Sequence, residues 1–321
     1  MKISTSTCDF RDFCGNDQIT AIRYLYDAGF RYIDLSMAMV EEEDALICRE
    51  DWQETAGKIK EFAHSMGMEF VQAHSPIFVK FADGKRRYFN PFDSEEDREL
   101  FLKYNTQAIR VCKELGIPNI VVHSAATRSP GKESFLMENG ALYRELLSAV
   151  EDCGVNVLTE NVSKADLLAS ERSRDKYQPT TGAEMRELIE YVDHPLFHAC
   201  WDTAHRSMDG GNQYEDLMAI GEHLYALHLA DNMGAGHGHD HVIPFCGVVN
   251  FDDIMSGLRD CGYKGCFNFE ATYTIKPAGW RRTFEGDLRL RQHPLELEMA
   301  MEQYKYQVGK YILESYGCFE D

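Results

Sequence analysis

The sequence predicts an α/β fold: a single TIM-type (β/α)8 barrel over residues 1–321, with its active site at the C-terminal ends of the strands. Three observations carry this expectation. Eight short runs of β-prone residues alternate with amphipathic helical stretches. Their spacing, about 40 residues per unit, suits a barrel with some insertions. Finally, successive runs close on a residue able to bind a metal or carry a proton. Phe70-Val-Gln-Ala ends on His74, Ile120-Val-Val on His123, and Val155-Asn-Val-Leu-Thr on Glu160. Cys200-Trp ends on Asp202, Leu224-Tyr-Ala-Leu on His228, and Phe267-Asn-Phe on Glu270. Parallel strands in a closed barrel all end on one face, so these residues would meet there.

Taken in order, the strands are expected near residues 2–7, 31–36, 69–74, 119–124, 155–160, 197–202, 224–230 and 266–271. The intervening segments that begin at Ile19, Glu99, Leu142 and Glu184 carry apolar residues three or four apart, the helical period. Gly29, Gly116, Gly154 and Gly262 each stand between a helix and the next strand, where a helix C-terminus favours glycine. Two long segments, 78–92 and 272–294, follow the third and eighth strands and are lid candidates. A helical tail from Leu295 to Tyr316, with Met299, Met301, Tyr304 and Tyr306, either closes the outer ring or meets a partner, so a homo-oligomer stays open.

Composition narrows the function classes. With 44% hydrophobic residues the chain has ample material for a core. The formal charge of -20, from 53 acidic against 33 basic residues, repels a polyanion, so no nucleic-acid partner is expected. No stretch approaches the roughly 18 apolar residues of a membrane span, and no apolar signal segment follows the start. A cytoplasmic protein with no membrane partner is expected. Ten scattered cysteines without a Cys-x-x-Cys pair read as reduced thiols.

Glu160, Asp202, His228 and Glu270 form an oxygen-rich ligand set with one imidazole, suited to one divalent ion: Mn, Co, Mg or Zn. His205, three residues after Asp202, is expected to contact a substrate hydroxyl; a second metal or a capping role are its other readings. The run His237-Gly-His-Asp-His241 is either a solvated loop tip or part of the site, which would bring in His239 and His241. His74 and His123 are either hydrogen-bonded within the barrel mouth or face the substrate. Arg281, with Arg282 and Lys276 in one loop and Lys80, Arg86 and Arg87 in the other, would receive a phosphate or carboxylate if not simply solvated.

The segments Thr159-Glu-Asn, Cys200-Trp-Asp-Thr-Ala-His205, Leu227-His-Leu-Ala-Asp-Asn232, Asp240-His-Val-Ile-Pro244 and Phe267-Asn-Phe-Glu270 resemble the xylose-isomerase-like barrel superfamily. That group holds sugar isomerases, ketose 3-epimerases, inosose dehydratases and zinc-dependent abasic-site endonucleases. The resemblance implies that Glu160, Asp202, His228 and Glu270 hold one ion, with Glu160 and Glu270 also serving as acid and base through an enediolate. The expected function is therefore a metal-dependent isomerase or epimerase of a sugar or sugar derivative, phosphorylated or not. The endonuclease branch implies an alternative, a phosphoester hydrolase with a second or third zinc on His74, His123, His205 and an Asp-x-His pair. Here that pair reads His239-Asp-His241, a departure at its first member. A keto-sugar or inosose dehydratase shares the proton abstraction and is a further alternative. Phe245 replaces a glycine of the usual Pro-Gly-x-Gly run, and packing is its expected role.

Overall fold

The computed structural model describes residues 1–40, 45–80, 86–88, 90–163, 177–237, 240–275, 290 and 292–321, with backbone alone at 39–40, 78–80 and 86–88. Eight strands carry the architecture: β1 (Ile3–Ser6), β2 (Tyr32–Ser36), β3 (Glu69–His74), β4 (Asn119–Val121), β5 (Asn156–Glu160), β6 (Phe197–Asp202), β7 (Leu224–His228) and β8 (Phe267–Phe269). They form one parallel sheet in the order β7-β6-β5-β4-β3-β2-β1-β8. A parallel bridge between Leu229 and Phe269 joins the two edges. The Leu229 amide donates to Asn268 O at 2.9 Å and the Glu270 amide donates to Leu229 O at 3.0 Å, so the sheet closes into a barrel.

The longer helices among the described residues are α1 (Gln18–Ala28), α2 (Trp52–Ser65), α3 (Glu95–Leu115), α4 (Lys132–Val150), α5 (Gly182–Val192), α6 (Gln213–Ile220), α7 (Phe251–Asp260) and α8 (Leu295–Ser315). Local chemistry marks their ends. Asp17, Ser94, Asn212 and Asn250 accept first-turn amides, and Thr181 with Glu184 forms a capping box. Gly29, Gly116, Gly154 and Gly262 all adopt positive φ, at +112°, +81°, +67° and +78°. All eight expected strands form, though β4 and β8 are short and leave His123 and Glu270 just past their ends.

Because side chains alternate along a strand, each strand has one face toward the helices and one toward the barrel axis. Ile33, Ala73, Ile120, Val157, Trp201, Leu227 and Phe269 belong to the main core under the helical ring. Val121, Leu158, Cys200 and Ala226 form a separate apolar cluster within the barrel. One period further along β4 to β7 stand His123, Glu160, Asp202 and His228. The candidate site thus sits directly above a packed interior layer, as barrel geometry requires.

Segment 78–92 contributes a small accessory sheet, a feature the sequence reading had not resolved. Phe78–Lys80 pairs in parallel with Met39–Val40 and antiparallel with Arg86–Tyr88. Within 272–294, residues 276–289 and 291 lie outside the described residues, and so does Arg281. The final helix closes the outer ring: Tyr306 packs edge-on against Phe30 at 5.3 Å between ring centroids, while Tyr304 faces outward. None of the ten cysteines forms a disulfide. No helix among the described residues is long and apolar enough to cross a membrane.

Candidate metal centre

Glu160, Asp202, His228 and Glu270 each place one ligand atom within 4.8 Å of the others. They come from four neighbouring strand ends, β5 to β8, and the first three are fully buried. His228 Nδ1 lies 3.0 Å from Glu160 Oε2 and 3.5 Å from Glu270 Oε2. Yet neither His228 Nδ1 nor Glu160 Oε1 makes a hydrogen bond, although both are sealed from water. Leaving such groups unsatisfied is costly. Orphaned buried acceptors among three converging carboxylates fit a shared cation, so the residues present suit a divalent ion.

Electrostatics agree with that fit. Burial pushes the Glu270 carboxyl up to about 8, and the charges of Glu160 and Asp202 add to the effect although His228 opposes it. Burial would also raise Glu160, but His228, His123 and His205 outweigh it and hold this carboxylate well below its ordinary range. Asp202 behaves likewise, with His205 and His241 overcoming its burial. Three acids packed together need compensating positive charge, which imidazoles supply in part.

The remaining histidines gather around the same carboxylates. His74 Nε2 approaches His123 Nε2 at 3.1 Å, and His123 Nε2 lies 3.0 Å from Glu160 Oε2. Burial and the neighbouring His123 lower His74 to about 4, so it is neutral near pH 7. These two residues and Glu160 make a second group with ligand geometry. Asp202, His205 and His241 make a third. His241 Nε2 is 3.1 Å from Asp202 Oδ2, which draws the end of the 237–241 run into the site. His239 lies outside the described residues.

His205 occupies the first turn of a short helix, Thr203–Asp209, whose N-cap is Asp202. Its Nδ1 lies 2.9 Å from Asn161 O and 3.4 Å from Glu160 Oε1. Asn161 in turn clamps the Asp202 backbone, donating to Asp202 O at 2.9 Å and accepting from its amide at 2.7 Å. Phe245, at φ +72°, packs edge-on against Phe251 and Tyr311 and keeps 58% of its surface exposed.

Below His228 lies a polar group that sequence reasoning missed: Asp34 of β2, Gln72 of β3 and Asn268 of β8. The side-chain amides of Gln72 and Asn268 donate to Asp34 Oδ2 at 3.1 and 3.0 Å. Ser4 Oγ donates to Asn268 Oδ1 at 2.8 Å. The signal was present. Gln72 and Asn268 each precede a ligand-type residue by two positions, which puts both on the same face of the strand.

A closed parallel barrel with carboxylates and imidazoles gathered at its strand ends defines the (β/α)8 class with a polar site on its C-terminal face. Within that class, the chain belongs to the xylose isomerase-like TIM barrel family, whose model matches residues 22–291. An uncharacterised protein of Sinorhizobium fredii, y4fM, is 24% identical over 216 residues, covering 66% of this chain and 62% of that relative. The chain thus spans under two thirds of that relative's length. Solved structures with a similar fold include a D-psicose 3-epimerase from Clostridium cellulolyticum H10 bound to D-tagatose. It superposes with a TM-score of 0.70 at 16% identity, over 98% of this chain and 99% of that one. An L-ribulose 3-epimerase gives 0.71 at 15% identity over 98% and 95%. A 3-keto-D-glucoside 4-epimerase from E. coli gives 0.64 at 19% identity over 96% and 99%.

Proposed function

We propose that this chain, acting as one barrel domain, is a divalent-metal-dependent epimerase or isomerase of a sugar or sugar derivative. The observation that carries the reading is the convergence of Glu160, Asp202, His228 and Glu270 within one ligand sphere. The epimerase titles among structures of the same fold support the reaction class.

These four residues would hold Mn²⁺, Co²⁺, Mg²⁺ or Zn²⁺. Such an ion supplies positive charge where a ketose develops negative charge on its oxygens as a neighbouring C–H proton leaves. The chain's own residues then do the proton work. Glu270, 24% exposed in its side chain while Glu160 is 1% exposed, is the carboxylate more open to a ligand. A carboxylate so placed can take a proton from a substrate carbon held beside it. Glu160 serves as its partner across the substrate. His205 and His241, buried beside Asp202, orient hydroxyls, and His74 and His123 line the other side of the mouth. Delivery of a proton to the same carbon from the opposite face gives epimerisation; delivery to the adjacent carbon, with the hydroxyl proton passing to the former carbonyl oxygen, gives isomerisation.

One specific observation favours a second reading. The approach of His74 and His123 to Glu160 builds a further ligand group, as a phosphoester hydrolase with two or three zincs would need. Elemental analysis and solvent-deuterium exchange into a panel of ketoses separate the two. The expected result is one ion per chain, retained in His74→Ala and His123→Ala, with exchange reduced by about 10²- to 10⁴-fold in Glu270→Gln. Two or three zincs per chain, lost when either histidine is removed, would overturn the mononuclear reading in favour of phosphoester hydrolysis.

A further inference from the structure

Asp34 is a carboxylate where the barrel interior does not need one. It is 1% exposed, and both amide donors that reach it bind the same oxygen, Oδ2. Its Oδ1 has no hydrogen-bond partner and no access to water. A neutral acceptor would satisfy Gln72 and Asn268 at far lower desolvation cost than a buried charge. The same two amides also donate to Leu227 O, at 3.4 and 3.2 Å, so they span from Asp34 to the residue just before His228.

His228 Nε2 makes no hydrogen bond and has Asp34 Oδ2 as its facing carboxylate oxygen at 3.7 Å, while the opposite ring nitrogen, Nδ1, faces Glu160 and Glu270. The ring stacks on His74 with 5.6 Å between centroids and 12° between planes, which fixes its tilt. An imidazole can present a lone pair at one nitrogen only when the other carries the proton. A cation shared with Glu160 and Glu270 would exclude the proton from Nδ1, and Asp34, the carboxylate on the other side of the ring, would stabilise it at Nε2. Carboxylates so placed behind a ligating histidine both orient it and strengthen it as a ligand.

We propose that Asp34 is the positioning residue of His228: held by Gln72 and Asn268, it keeps the Nε2 proton on its own side and turns the Nδ1 lone pair toward the cation site. This inference rests on the metal-binding reading above. It adds a residue from β2, on the far side of the barrel, to the parts that set metal affinity.

The test is a Co²⁺ titration of wild type, Asp34→Asn and Gln72→Leu, followed by visible absorption, with near-ultraviolet circular dichroism and thermal unfolding as controls of fold. Expected are binding by wild type, binding about 10- to 100-fold weaker in Asp34→Asn with displaced ligand-field bands, and a smaller loss in Gln72→Leu. Should Asp34→Asn not fold, Gln72→Leu decides, since it keeps the carboxylate and removes one of its two holders. A wild type that binds Co²⁺, with variants of equal affinity and unchanged spectrum but lower melting temperature, would reduce Asp34 to a structural residue and overturn the proposal alone. A folded wild type that binds no Co²⁺ would overturn the metal reading and this inference together.

Discussion

Lys305 is fully buried, and its ammonium group donates to Asp9 Oδ2 and Glu302 Oε1, both at 2.8 Å. Thr5 Oγ1 donates to the same Asp9 oxygen at 2.7 Å, so the loop after β1 and the final helix share one ionic knot. Burial, reinforced by the Asp9 charge, raises Glu302 well above the usual carboxyl range despite the opposing Lys305. A folded-state pKa above the unfolded one means that the folded protein binds this proton more tightly. The stability linked to it is full below about pH 4.3 and is lost as pH rises toward the folded value. Glu302→Gln removes that dependence. Urea midpoints at pH 5 and pH 8 should therefore shift in favour of the variant at the higher pH. A shift the other way would mean that Glu302 acts as an ionised partner of Lys305. Such knots are invisible to a reading of local pattern: Asp9 and Lys305 are 296 positions apart, and each alone looks like an ordinary surface charge.

At the scale of elements, α8 seals the barrel where β1 and β8 meet, and it does so through Gly309. A methyl group there would stand 2.7 Å from Phe269 Cε2 and 3.3 Å from Ile3 Cδ1. Phe269 is completely buried and packs at a right angle to Phe267, so it has little room to yield. Gly309→Ala is expected to lower stability by about 1 to 2 kcal/mol, overpacking outweighing the better helix propensity of alanine. Equal or greater stability in chemical denaturation would show that the helix lifts freely off the sheet. The terminal glycines of this ring were legible from sequence because they act over three or four positions. The accessory sheet of Met39–Val40, Phe78–Lys80 and Arg86–Tyr88 was not, since its strands are two or three residues long and the first pairing joins residues 39 positions apart.

Across the whole molecule, the cluster at the strand ends ties β5 to β8 together, and the proposed ion would add a link between strands that share no other covalent constraint. A ligand that binds only the folded state stabilises it by about 2.7 kcal/mol when present at 100 times its dissociation constant. Metal-free protein should gain several degrees in melting temperature when Mn²⁺ or Co²⁺ is restored, and lose them again with a chelator. The gain should vanish in a variant carrying both Asp202→Asn and Glu270→Gln. An unchanged melting temperature in wild type would contradict a cation at this centre. The acidic surface, net -20, leaves this site as a place where positive charge from solution is welcome.

What the sequence determined by itself was the barrel and the polar rim at its strand ends. Short β-prone runs ending in His123, Glu160, Asp202, His228 and Glu270 are local patterns, and closure of a parallel barrel brings their ends together whatever the details. Tertiary structure alone decided which groups share a ligand sphere and what stands behind them. The approach of His74 to His123, the Asp34, Gln72 and Asn268 group below His228, and the burial of Lys305 depend on register and on contacts between distant segments. A one-residue slip in register would turn Asp34 or Glu160 toward the helices. Local propensity does not fix that register; the packing of the closed barrel does.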